Sequence, residues 1–207
     1  MSSTGNGKRK DAEELSSVIL QTAKSLFTEH GVDSVSMHQV AKSAGIGQGT
    51  LYRRYANKGD LCMDLMKDTF QSFMDQVDAL MTEYEHQQSN VLERVQLFLR
   101  QIIQFIEEQS GWVSVVQHYQ FCEPDRFNFH EAPPYEYISS KLKGLFHEAQ
   151  DNGVLIPHID IALTTHILIY SLSPDSFNYL RSHYGYTTEE LCEHYLQSFV
   201  NPLFTQS

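Results

Sequence analysis

Along the whole chain, apolar residues return every three or four positions, and nowhere do they alternate convincingly with polar ones. That period belongs to the helix, in which residues three and four apart share a face. Leu15, Ile19, Ala23 and Leu26 with Phe27 form one such stripe and predict a first helix over 11–30. Asp11, Glu13 and Glu14 sit in its first turn, where the helix dipole favours acids, and Gly31 suits its C-cap. Ser36 and Gln39 make an S-x-x-Q capping box, with Val35 and Val40 at the positions of a hydrophobic staple. A short second helix therefore follows, ending near Ala44. Gly45 suits a left-handed cap, Ile46 turns inward, and a third helix runs from Gly47 or Gln48 to Tyr55.

Beyond this point the predicted helices lengthen. Asn57 and Asp60, an N-x-x-D cap, start a long fourth helix. The fifth, about 90–109, reads as apolar almost all round, which predicts a central position. A sixth spans about 112–121, and CEPDRFNFHEAPP reads as loop. The seventh covers about 134–151 and ends at Asn152-Gly153. The eighth starts near Ile159, with Pro174 expected to kink or break it near Ser173 before the pattern resumes to Tyr184. The capping box Thr187-x-x-Glu190 opens the ninth, which carries Leu191, Tyr195, Leu196 and Phe199. The expected fold is all-α with about nine helices and no internal repeat. Residues 1–10, rich in Gly, Ser and Lys, are expected to form a mobile arm.

Composition narrows the class. With 207 residues and 41% apolar content, the chain has material for a sizeable core. No apolar run approaches the roughly 18 residues of a membrane span. The basic N-terminal cluster is not followed by an apolar stretch, so a secretory signal is not expected. Cys62, Cys122 and Cys192 are widely spaced and form no CxxC, which favours a reducing cytoplasm over a disulfide framework or a zinc knuckle.

The net charge of −11 argues against nucleic acid until its distribution is considered. Residues 1–60 carry eight Lys and Arg against six Asp and Glu, while residues 61–207 carry seven against twenty. A small basic part and a large acidic part imply two functions.

The stretch AKSAGIGQGTLYRRY (residues 41–55) holds most of the candidate chemistry. A dinucleotide fingerprint would need a strand before it and a glycine where Thr50 stands; neither condition is met, and there is no Walker lysine-serine pair. Two short helices joined by a tight glycine turn fit a helix-turn-helix instead. Ala41 and Ala44 allow close crossing, while Val40, Ile46 and Leu51 fill the space between. The third helix then exposes Gln48, Thr50, Tyr52, Arg53 and Arg54. Gln and Arg read base edges in a major groove, Thr can touch a thymine methyl, and Tyr52 and Lys58 suit phosphates. Gly49, without a side chain, lets backbone approach the nucleic acid.

The run AGIGQGTLYRRYANKGDL resembles the signature of TetR-type transcriptional regulators: a glycine turn, a T-L-Y core, an aromatic three residues on, then x-N/S-K-x-x-L. The resemblance spans about Val18 to Leu65. It implies a homodimer whose third helix enters the major groove of a pseudo-palindromic operator. It further implies that the last two helices pair in a four-helix bundle, and that a small effector in the C-terminal domain releases the DNA. The family's DNA contacts fall on Ser36, Gln48, Gly49, Thr50, Tyr52, Arg53, Arg54 and Lys58. His38 stands where some members carry a base-contacting arginine, and Gly47 where Ser or a similar cap is usual. Residues 1–57 are expected to bind DNA, and residues 58–207 to bind the effector and to dimerise through Leu191, Tyr195, Leu196 and Phe199.

The effector region carries many aromatics. Phe70, Phe73, Trp112, Tyr119, His166 and Tyr170 are the expected pocket residues, placed by analogy with the family. With Glu123 and Glu131 nearby, a lipophilic cation is one candidate effector. The ten histidines include no HExxH and no i, i+4 pair, so no metal or cofactor is expected. No G-x-S-x-G occurs, and no enzymatic activity is expected. The rival class is a helical ligand- or partner-binding module without specific DNA binding.

Overall fold

The computed structural model describes residues 4–122 and 129–205. Ten α-helices follow in order: α1 (Thr4–His30), α2 (Met37–Ser43), α3 (Gln48–Tyr52), α4 (Lys58–His86), α5 (Val91–Glu108), α6 (Ser110–Cys122), α7 (Pro133–Asp151), α8 (Ile161–Ser171), α9 (Pro174–Tyr184) and α10 (Thr188–Tyr195). A π-helical turn, Leu196–Val200, and a 3-10 turn, Asn201–Leu203, continue α10. Among the described residues there is no strand, and one isolated bridge joins Leu155 to Phe204.

The expected all-α architecture is present, with two departures in helix bounds. The first helix starts at Thr4, so residues 4–10 are helical rather than a free arm. Its start was hidden because Gly and Ser near the N-terminus give no helix signal. The third helix is shorter than expected, closing at Tyr52 with Arg53 as its cap. The eighth predicted helix breaks beside Ser173, as expected from Pro174, and gives α8 and α9. Pro174 lacks the N–H an interior position needs, and it becomes the first residue of α9, with Ser173 extended before it at φ −108°, ψ 126°.

The caps follow local chemistry. Ser36 and Gln39 bond reciprocally, as do Thr187 and Glu190. Asn90 and Glu93 form a third box at the start of α5. At the head of α4, Asn57 Oδ1 accepts from the Asp60 amide at 2.9 Å, and Asp60 Oδ2 accepts from the Ala56 amide at 3.0 Å.

The chain divides into two compact units. The first is Met1–Thr69 with Gly111–Phe127; the second is Phe70–Ser110 with Asn128–Ser207. Residue 57 thus lies inside the first unit. That unit's core gathers Ile19, Ala23 and Phe27 of α1, Val40 and Ala41 of α2, Leu51 of α3, and Leu61 of α4. The larger core of the second unit centres on Phe98, Leu99, Ile102 and Ile103 of α5, with Leu142 and Phe146 of α7. α5 is not apolar all round. It buries one face, while Gln104 and Glu108 on the other are exposed. The long apolar side chains outnumber the polar ones and obscured that second face in the sequence.

Candidate nucleic-acid interface

The first unit presents the glycine turn as the pattern predicts. Ala44 closes α2, Gly45 adopts φ +68°, and the Ile46 amide returns to the Ala41 carbonyl at 3.0 Å. An L-residue at that φ would set its Cβ against the following carbonyl, which glycine avoids. Gly47 is the N-cap of α3, in extended conformation and without a side-chain cap. Leu51 is fully buried, anchoring α3, so the rest of that short helix faces outward. Gln48, Gly49, Tyr52, Arg53 and Arg54 are exposed, and Thr50 is half-buried.

The outward residues are not independent. Arg53 donates to Thr50 Oγ1 at 3.1 Å, which draws the guanidinium along the helix face. Gln48 Nε2 is hydrogen-bonded to His38 Nδ1, across the turn from α3 to α2. Ser36 caps α2: its Oγ accepts from the Gln39 amide at 3.2 Å and donates to Gln39 Oε1 at 2.9 Å. Lys58 Nζ donates to the carbonyls of Val32 at 2.9 Å and Asp33 at 3.4 Å, tying the start of α4 to the α1–α2 connection. An ammonium has three donors, so one is left for another acceptor. Beneath this face Tyr55 donates to Asp64 Oδ2 at 2.6 Å. Burial first, then the Asp64 carboxylate, pushes its phenol up to about 12. Burial likewise raises the Cys62 thiol to about 12, so it stays a core thiol.

The expected effector residues do not all meet. Phe70 and Phe73 join Phe105, with ring centroids 5.8 and 4.4 Å from it, and Tyr137 lies edge-on to Phe70 at 6.2 Å. His166 and Tyr170 form a second cluster with His130 and Tyr135. Tyr135 Oη lies 3.2 Å from His166 Nδ1, and Tyr170 Oη lies 3.2 Å from His130 Nε2. Trp112 is packed edge-on against Phe27 at 5.4 Å, inside the first unit. It is not grouped with the other expected pocket residues; an isolated Trp in a sequence does not reveal which core it joins. The Tyr119 side chain and Glu123 lie outside the described residues. A groove of about 620 Å³ opens elsewhere in the second unit, lined by Arg100, Gln101, Gln104, Glu107, Arg181 and Thr188 among others, and by none of the expected pocket residues.

Most of the expected dimer seam is covered within one chain. Leu191, Tyr195 and Leu196 are 6%, 7% and 1% exposed within a single chain, because they fill the core of the second unit. Tyr195 Oη also donates to the Leu168 carbonyl at 3.0 Å and meets Ser171 Oγ at 2.9 Å. Side chains already buried have no surface left to give a second copy. Phe199 is 57% exposed, as are Leu163 and Ile167 of α8 at 56% each. In the sequence, burial inside one protomer and burial between two have the same apolar period.

No helix among the described residues is long and apolar enough to cross a membrane. Residues 19–63 match the family model for bacterial regulatory proteins of the tetR family. An HTH-type transcriptional regulator of Staphylococcus aureus (strain USA300) is 26% identical over 193 residues, covering 93% of this chain and 96% of that protein. Among solved structures, Thermus thermophilus FadR, a TetR family transcriptional repressor in complex with lauroyl-CoA, shares the fold with a TM-score of 0.66 at 17% identity, covering 93% and 96% of the two chains. NalD, the secondary repressor of the MexAB-OprM multidrug efflux pump in Pseudomonas aeruginosa, shares it with a TM-score of 0.53 at 20% identity, covering 94% and 99%. The glycine turn, the outward polar face of α3 and these likenesses agree: residues 19–63 match the tetR family of bacterial regulatory proteins, and the chain is a DNA-binding transcriptional regulator.

Proposed function

We propose that this regulator is a repressor that binds a pseudo-palindromic operator as a homodimer and leaves it when a small apolar or aromatic effector binds. The observation that carries the DNA half is the exposed set Gln48, Tyr52 and Arg53 with half-buried Thr50 among them, held outward by buried Leu51. Gln48 and Arg53 suit base edges, Thr50 a thymine methyl, and Tyr52, Arg54 and the third donor of Lys58 suit phosphates. Ser36 and Gly49 offer a hydroxyl and bare backbone to the same strand. In this reading residues 1–57 bind DNA, while 58–207 bind the effector and dimerise.

Two copies meet, in this proposal, on α8 and the π-helical turn. Leu163, Ile167 and Ser171 fall at i, i+4 and i+8 on one face of α8. Ser171 touches Tyr195, whose ring lies 5.4 Å from Phe199. A helix as apolar as α8 belongs under cover on more sides than one chain supplies.

The effector half rests on the rings of Phe70, Phe73, Phe105 and Tyr137. Thermus thermophilus FadR, which binds lauroyl-CoA, supports an apolar occupant in this fold. A lipophilic cation is the other candidate occupant. A ligand moves the equilibrium only by binding one conformation of the dimer better than the other.

The test is selection of bound fragments from the source organism's genomic DNA at physiological salt, with a Thr50→Ala/Arg53→Ala variant as control. Enrichment of one inverted-repeat sequence by the native protein alone is expected. Equal enrichment by both proteins would overturn the assignment of α3 and favour a partner-binding module.

A further inference from the structure

The contact between His38 and Gln48 has a consequence for which base the protein reads. Gln48 is the first residue of α3, and its side chain is exposed on the face assigned above to the groove. Its amide nitrogen faces His38 Nδ1. An amide nitrogen donates, so in this contact Nδ1 is the acceptor.

We infer that His38 is a positioning residue that fixes the orientation of the Gln48 amide and thereby sets its base preference to adenine. This rests on the reading that α3 enters the major groove. A glutamine amide carries two N–H groups and one carbonyl. With one N–H held by His38, the other N–H and Oε1 form a side-by-side donor and acceptor. That edge matches adenine, whose N7 accepts and whose N6 donates. Guanine presents two acceptors there, O6 and N7, so Oε1 would face a lone pair. An unrestrained amide can turn by half a rotation and exchange its donor and acceptor; the contact with Nδ1 holds the amide nitrogen toward α2. His38 itself touches no base in this arrangement. Its place on α2 is fixed by the Ser36–Gln39 capping box directly beside it and by Met37 and Val40, which are buried.

The experiment measures base preference at every operator position with a randomised library, for the native protein, His38→Phe, His38→Asn and Gln48→Ala. Phe keeps the ring shape and loses the acceptor; Asn Oδ1 lies near where Nδ1 lay and restores it. The expected result is one position per half-site where the native protein prefers adenine. Gln48→Ala loses that preference, His38→Phe lowers adenine over guanine by about fivefold or more, and His38→Asn regains most of it. All other positions stay unchanged, which a general loosening of the head would not produce. The inference is overturned if His38→Phe keeps the native preference at the position Gln48→Ala alters, or if Asn and Phe behave alike. It is overturned as well if Gln48→Ala alters no position. Absence of any sequence preference in the native protein would instead overturn the assignment of α3.

Discussion

Arg53 in the first unit stands in solvent beside Thr50, whereas the side chain of Arg94 in the second is 8% exposed and paired with both Glu85 and Glu148. One arginine keeps its donors outward; the other ties α4, α5 and α7 together inside one unit. Aromatic residues divide the same way. Tyr52 is 49% exposed on a helix of five residues, while Phe98 and Phe146 are fully buried. The first unit spends its small core holding polar groups at a surface, and the second holds a large core around its rings. Loss of a surface group in the first should therefore change recognition without stability. Loss of a buried group in either should change stability.

The largest effect is expected at Leu51, the residue that anchors α3. Leu51→Ala should destabilise the first unit by about 2–5 kcal/mol, from lost burial plus the cavity left behind. Denaturant unfolding followed by a probe in each unit would show the first transition moving and the second staying. Coincident shifts in both would mean that the units do not unfold separately.

Arg53→Ala should leave that transition within about 0.5 kcal/mol, since the side chain is exposed. It should weaken operator binding by about 1–3 kcal/mol while sparing nonspecific DNA. Lys58→Ala, in contrast, should weaken both kinds of binding and lower the salt slope by about one. Because Lys58 also holds the Val32 and Asp33 carbonyls, a modest loss of stability should accompany it. If Arg53→Ala weakens all sequences equally, its role is phosphate contact.

Gly45→Ala is expected to cost about 1–2 kcal/mol from the left-handed backbone alone, because an added Cβ at Gly45 meets nothing within 4 Å. Calorimetry that finds no change would show that the turn relaxes to another conformation.

The smallest effect concerns Asp78 in the second unit. Burial opposes its ionisation, but hydrogen bonds from Lys141 and from Tyr137, the latter at 2.8 Å, hold its carboxyl below the ordinary value. A lowered folded-state value means stability that is fully present above the unfolded value of about 3.9 and is lost as pH falls through the folded one. Asp78→Asn should reduce the acid dependence of unfolding below about pH 4 and leave its shape near neutrality unchanged. An identical acid limb in the variant would remove Asp78 from that account.

The sequence alone determined the helix caps and the turn between α2 and α3. Caps and glycines act within four residues, so Ser36 with Gln39, Gly45 and Thr187 with Glu190 were legible as written. The outward face of α3 was also legible, because one buried leucine on a short helix fixes the direction of its neighbours. The Asn90–Glu93 box could have been read by the same rule. Only the tertiary structure could decide matters of partnership across long separations. Arg94 meets Glu148 across 54 positions, Trp112 joins Phe27, and His38 meets Gln48 through a turn that reverses the chain. It also decided which apolar residues of the last helices are spent inside the protomer: Leu191, Tyr195 and Leu196 are buried, while Phe199 with Leu163 and Ile167 stays outside. The apolar period states that a face is covered. What covers it depends on packing between elements far apart in the chain.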